Sequence, residues 1–165
     1  MDTSPNIKNI SAVLGIILII GAGFLFFKMK STPVEVEEGT DTQNGSQEMV
    51  VVVTETPAVN GTLRAPAGFP AEIPLEVGVI LESATTEYPN QDASQLSVSY
   101  RSDKTVAQKY AEYKSYLTNA GYQITEGSTN APVRALFGTK VEANLSVAIS
   151  ANGGKTLVQL SYLIK

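Results

Sequence analysis

The chain has 165 residues, a formal net charge of −4, and no cysteine, histidine or tryptophan. That composition excludes disulfides, thiolate chemistry, a Ser-His-Asp triad, a Cys-His pair and the common zinc sites within the chain. Lysine and arginine nowhere cluster, so the electrostatic footprint of a nucleic-acid-binding surface is absent and no nucleic-acid partner is expected.

Residues 1–9 form a short polar head with Lys8 as its one base. Ile10 to Phe27 then reads ISAVLGIILIIGAGFLFF, without a charge and with Ser11 as its one polar side chain. As a helix it is about 27 Å long at roughly 1.5 Å per residue, against a hydrocarbon core of about 30 Å. Lys28 can snorkel and bring Met29 into the span. We therefore expect a single transmembrane helix over 10–29. Its apolar run continues past Gly21-Ala22-Gly23, which favours an uncleaved signal anchor over a cleavable signal peptide. Ser11, Gly15 and Ala22 put small residues along one side, a candidate helix–helix contact. Lys8 and the terminal amine on one flank nearly balance Lys28 and Lys30 on the other. The plan of a short head inside and a domain exported on an acidic tether gives an extracytoplasmic domain as the expectation.

Residues 30–65 read as a disordered acidic tether. Ser31 to Ala65 holds Glu35, Glu37, Glu38, Asp41, Glu48 and Glu55 against Arg64 alone, without a sustained period. One run interrupts it: Val50, Val51, Val52 and Val53, β-branched and uncharged, the composition of a strand that pairs with an edge. It can add to the domain's own sheet, pair with another chain, or stay extended, and we mark these four as candidate partner contacts. Asn44-Gly45 and Asn60-Gly61 are turn signals on either side.

The domain is expected over 66–165, with nine acids against eight bases. Pro66, Pro70 and Pro74 come at four-residue steps and impose an extended lead. Phe69, Ile73 and Leu75 would pin that lead to the core. Glu76 to Ser83 is a predicted strand with Val77, Val79 and Leu81 alternating, followed by a loop over Ala84 to Ala93. In Ser94 to Arg101, Leu96, Val98 and Tyr100 face in and Ser97, Ser99 and Arg101 face out. Lys104 to Ala120 is an amphipathic helix with a capping box at Thr105-x-x-Gln108. Its inner face is Val106, Tyr110, Tyr113, Leu117 and Ala120, and Gly121 stops it. Tyr122 to Glu126, Val133 to Lys140, Leu145 to Ser150 and Thr156 to Ile164 follow as strands, with Asn152-Gly153-Gly154 as a hairpin turn. The fold class is α+β: an antiparallel sheet of 4–5 strands with one helix on one face, ordered β-β-α-β-β-β, behind the transmembrane helix.

Phe69-Pro70-Ala71-Glu72-Ile73-Pro74 has the form FPxxIP, and Tyr113 to Tyr122 has the form YxxxLxxAGY. With the C-terminal hairpins they make the domain resemble small uncharacterised domains of bacterial membrane-anchored or lipoprotein-type exported proteins. The resemblance covers most of the hundred residues from Pro66. It implies a location and a fold, and no activity comes with it.

No motif names a reaction. Gly154-Lys155-Thr156 imitates the end of a P-loop, but Ile149 stands where a glycine is needed and a strand follows. The acids are scattered, without an Asp-x-Asp calcium loop. Two carboxylates across a cleft would suffice for a hydrolase, and nothing in the sequence pairs two of them. The tyrosines are the more informative set. Tyr110, Tyr113 and Tyr116 sit at three-residue steps on the helix, and Tyr116 lies at the margin of the buried face, where its ring could meet a glycan or a peptide. The expectation is a non-catalytic, membrane-tethered binding or scaffold module with no cofactor and no metal. The alternative is a self-associating structural subunit of a cell-envelope assembly.

Overall fold

The computed structural model describes residues 50–76, 79–128 and 131–165. The expected transmembrane helix over 10–29, with Ser11, Gly15 and Ala22, lies outside these residues. No helix among the described residues is long and apolar enough to cross a membrane.

The elements in chain order are β1 (Val52–Glu55), β2 (Ile80–Tyr88), β3 (Ala93–Ser102), α1 (Val106–Asn119), β4 (Gln123–Glu126), β5 (Val133–Thr139), β6 (Ala143–Asn152) and β7 (Lys155–Ile164). The strands form one seven-stranded sheet in the order β1-β2-β3-β7-β6-β5-β4. Every neighbouring pair is antiparallel. The architecture is thus α+β. The expected 4–5 strands in the order β-β-α-β-β-β are corrected to seven in the order β-β-β-α-β-β-β-β. β4 falls where a strand is predicted over Tyr122 to Glu126, and the strand that no predicted range covers is β1, an edge strand of four residues. Such short strands depend on their partners rather than on their own pattern.

β1 lies inside the stretch expected to be a disordered tether. Val52 pairs with Glu87 and Glu55 with Ala84. Of the three fates open to the valine run, Val52 and Val53 thus take the first and join the domain's own sheet. The compact unit that contains the sheet spans Val51–Lys165. Between β1 and the proline lead, Asn60 (φ 52°) and Gly61 (φ 75°) make the signalled turn, closed by reciprocal hydrogen bonds of 3.0 Å between Val59 and Thr62.

β2 departs from its predicted phase. The register shifts between Ile80 and Glu82, so Ile80 packs on the core while Val79 and Leu81, expected inward, are exposed. A bulge of this kind adds a residue to one strand and inverts the alternation around it. β2 then continues to Tyr88, through residues predicted as loop.

One face of the sheet carries the core. Leu96, Val98 and Tyr100 of β3 stand opposite Tyr162, Leu160 and Val158 of β7, which stand opposite Leu145, Val147 and Ile149 of β6. α1 lays Tyr110, Tyr113 and Leu117 on this layer, with Leu136 of β5 and Ile73 of the lead. The helix starts where the sequence says: the Thr105 side chain accepts from the Gln108 amide, and the Gln108 side chain accepts from the Thr105 amide at 2.8 Å. The opposite face carries a run of hydrogen-bonded polar side chains. Tyr88 donates to Gln95 Oε1 at 3.1 Å, Gln95 donates to Ser97 at 3.2 Å, and Ser99 donates to Glu82 at 2.9 Å. Ser97 and Ser99 do lie opposite the core, and both are buried.

Candidate functional site

The proline lead runs over the core face and meets α1 in two places. The first is a buried clasp. Lys109 belongs to the inner stripe of the helix, between Val106 and Tyr113, and its side chain is 0% exposed. Its ammonium sits 3.2 Å from Glu76 Oε1 and 3.2 Å from Glu112 Oε2. The Tyr100 and Tyr113 rings lie beside it, 5.2 and 5.1 Å from ring centre to nitrogen, within the range of cation–π attraction. Ser102 donates to the same Glu76 oxygen at 2.7 Å, and Lys104 donates to Glu112 at 2.9 Å. Tyr113 donates its hydroxyl proton to the Pro74 carbonyl, so across their 2.7 Å contact Tyr100 is the donor.

The electrostatics agree with this wiring. Burial alone would lower the Lys109 pKa, but Tyr100, Glu112 and Glu76 outweigh it and hold the ammonium above its usual value. Burial opposes charge on Glu112 too, and the two lysines overcome it and lower that carboxyl. Burial raises Tyr100 and Tyr113, so both stay protonated through neutral pH. The clasp is a closed set of donors and acceptors that ties residues 74–76 to the helix and β3.

The second meeting point is an aromatic patch. Phe69 of the lead packs edge-on to Tyr162 of β7 with centroids 6.3 Å apart. Tyr116 of α1 lies 6.3 Å from Tyr122, just past the helix end. Lys140 places its ammonium 4.4 Å from the Tyr122 ring centre. All four rings are half-buried and pack against the core. Burial raises Tyr116 and Tyr162, with the exposed Glu72 of the lead adding to it. Burial, Tyr116 and Tyr162 push Tyr122 up to about 12. The patch thus offers half-buried rings and protonated hydroxyls between one acid and one base.

Gly138 of β5 is what lets the patch form. A Cβ there would stand 2.5 Å from Leu117 Cδ2 and 2.9 Å from Tyr122 Cδ1. Only a residue without a side chain lets the helix end and Tyr122 lie so close to the sheet.

Of the residues marked in the sequence, Tyr116 is in this patch. Val50, Val51, Val52 and Val53 lie at the β1 edge, 39–49% exposed, and are not part of it. Lys109 escaped the sequence reading, although its position three residues after Val106 and four before Tyr113 puts it on the inner stripe. Among the described residues no group of three His, Cys, Asp or Glu side chains is placed to hold a metal ion. No protein-family model, curated protein or solved structure matches the chain.

Proposed function

We propose that the chain is a non-catalytic binding or scaffold module, tethered to a membrane by its apolar N-terminal segment and displayed on the extracytoplasmic side. The observation that carries this reading is the patch of Phe69, Tyr116, Tyr122 and Tyr162 between Glu72 and Lys140. Amphipathic rings with fixed hydroxyls suit a glycan or a peptide, because they give contact area at little entropic cost. Glu76 and Glu112 are engaged in ion pairs with the buried Lys109, and Glu82, raised by burial, accepts from Ser99 without a second carboxylate in the same set of contacts, which is weak support for a carboxylate-based hydrolase.

Photo-cross-linking tests it directly. Benzoylphenylalanine at position 116 of the full-length chain, in its own membrane, is expected to give a discrete adduct that Lys140→Glu weakens. No adduct at 116, or one indifferent to Lys140, would remove the patch from the account. Protease added to intact cells is expected to degrade the domain; degradation only after lysis would end the extracytoplasmic reading.

A second reading has an observation of its own. The exposed valines of β1 favour a self-associating structural subunit of an envelope assembly.

A further inference from the structure

Among the described residues β1 is the last strand of the sheet on its side, and one row of its backbone groups has no described strand to bond. Which row follows from the register. The Thr56 amide donates to the Ser83 carbonyl at 2.8 Å, continuing the ladder in which Thr54 faces Thr85 and Val52 faces Glu87. In an antiparallel pair alternate residues turn both their N–H and C=O to the same side. Val52, Thr54 and Thr56 therefore bond β2, while Val53 and Glu55 within the strand, and Val51 just before it, point away.

Edges of this kind are normally blunted with charged side chains, lysine above all, or with proline or a bulge. β1 is Val-Val-Thr-Glu, without lysine, proline or bulge, and its one charge is Glu55 at its end. Val50 to Val53 are all exposed, so apolar groups stand on both faces of the free edge.

We propose that β1 pairs antiparallel with β1 of a second copy of this chain, about a two-fold axis at Val53, joining two sheets into one. The inference specifies the self-association reading and does not depend on the aromatic patch. A second copy fits because the edge is complementary to itself when Val53 lies opposite Val53, the register that pairs the most described residues of the outward row. With Val53 opposite Val53 of the other copy, Val51 lies opposite Glu55 and Val52 opposite Thr54. All the outward-facing residues then bond one another, and the two Glu55 carboxylates stay four residues apart. Sliding one copy by two residues to set Val53 against Glu55 brings those carboxylates to diagonal positions, where like charges repel. So short a pairing falls below the size of a standard stable interface, and the dimer is a transient one that local concentration strengthens.

The absence of native cysteine makes the register measurable, since any cysteine introduced is unique. At the axis the two Cα atoms are about 5.5 Å apart, inside disulfide range. Copies of residue 52 sit on a diagonal of about 7–8 Å, and copies of residue 51 roughly 14 Å apart, both outside it. Full-length Val53→Cys under mild oxidant is expected to form dimer in several-fold higher yield than Val51→Cys or Val52→Cys. Val141→Cys, at a position 94% exposed on another loop, sets the level of random collision. In sedimentation of the detergent-solubilised chain, Val53→Pro removes an outward donor without touching a bond to β2. It is expected to weaken self-association by about tenfold, the order of one or two net backbone hydrogen bonds. Equal dimer yields at 51, 52, 53 and 141 would overturn the proposal. So would a monomer at all concentrations, an extended peptide of another protein cross-linking at 53 in place of a second copy, or a dimer that Val53→Pro leaves intact. In that last case contact through the N-terminal segment would account for it.

Discussion

The two edges of the sheet are finished in different ways. At β4, Glu126 accepts from Lys114 at 2.7 Å and from the Tyr110 hydroxyl, Arg134 lies 5.2 Å from the Tyr110 ring centre, and Lys140 covers Tyr122. The helix comes down beside this edge. At β1 there is no basic residue in the strand, and the valines are exposed on both faces. Charge placed along an edge is how sheets avoid joining other sheets. One edge of this domain is held by ion pairs and by the helix, while the other, among the described residues, has Glu55 as its one charge and no ion pair; the proposed pairing of copies rests on that contrast.

Substitutions should therefore cost much on the guarded, helix-covered side and little on the bare one. Lys109→Met should cost most, about 3 kcal/mol, because it leaves Glu76 and Glu112 without the cation they share. Both carboxylates are about 30% exposed, so water relieves part of the loss. Chemical denaturation measures it. A change below 1 kcal/mol would show that the clasp is dispensable.

The pH dependence has the same origin. Tyr100 and Tyr113 titrate above the ordinary 10.0 in the fold and Lys109 above the ordinary 10.5. Their contribution is complete below those values and is lost as pH rises past them. Glu112 and Glu126 titrate below the ordinary 4.5, so theirs is complete above 4.5 and is lost as pH falls. Glu82, raised by burial, works against these two and favours the fold as pH falls, so melting temperature should be level around pH 7, fall above about 10, and fall less at acid pH, where Glu112 and Glu126 outweigh it. A slope through pH 7 would contradict this set of groups.

Gly138→Val should cost about 2 kcal/mol by overpacking against Leu117 and Tyr122, read from the same denaturation midpoint. Thr105→Ala should cost about 1 kcal/mol through the lost helix cap. At the bare edge, Val52→Lys should shift stability by no more than about 0.5 kcal/mol while abolishing dimer. If it unfolds the domain instead, the two edges are not different in kind.

Much of this was legible in the residues. The Thr105/Gln108 cap, the Tyr110-Tyr113-Leu117 stripe, the β3 alternation and the Gly153-Gly154 hairpin are local signals, and each appears where its chemistry requires. Tyr116 at the margin of the helix face was also readable, though its neighbours Phe69, Tyr122 and Tyr162 come from three separate parts of the chain. What local signals could not give depends on distant partners. β1 is a strand because β2, some thirty residues on, offers it a ladder. The phase of β2 is inverted by a bulge that leaves no mark in the sequence. Lys109 is buried because Glu76 of the lead and Tyr100 of β3 converge on it beside Tyr113 of its own helix, and a lysine judged by its type alone belongs in water.

Residue-resolved amide exchange on the full-length chain at increasing concentration tests the bare edge most directly. Thr54 and Thr56, bonded to β2, should be protected at every concentration. Val53 and Glu55 should exchange fast when dilute and slow down as copies meet. Protection at 53 and 55 that ignores concentration, or no protection at 54 and 56, would contradict the account.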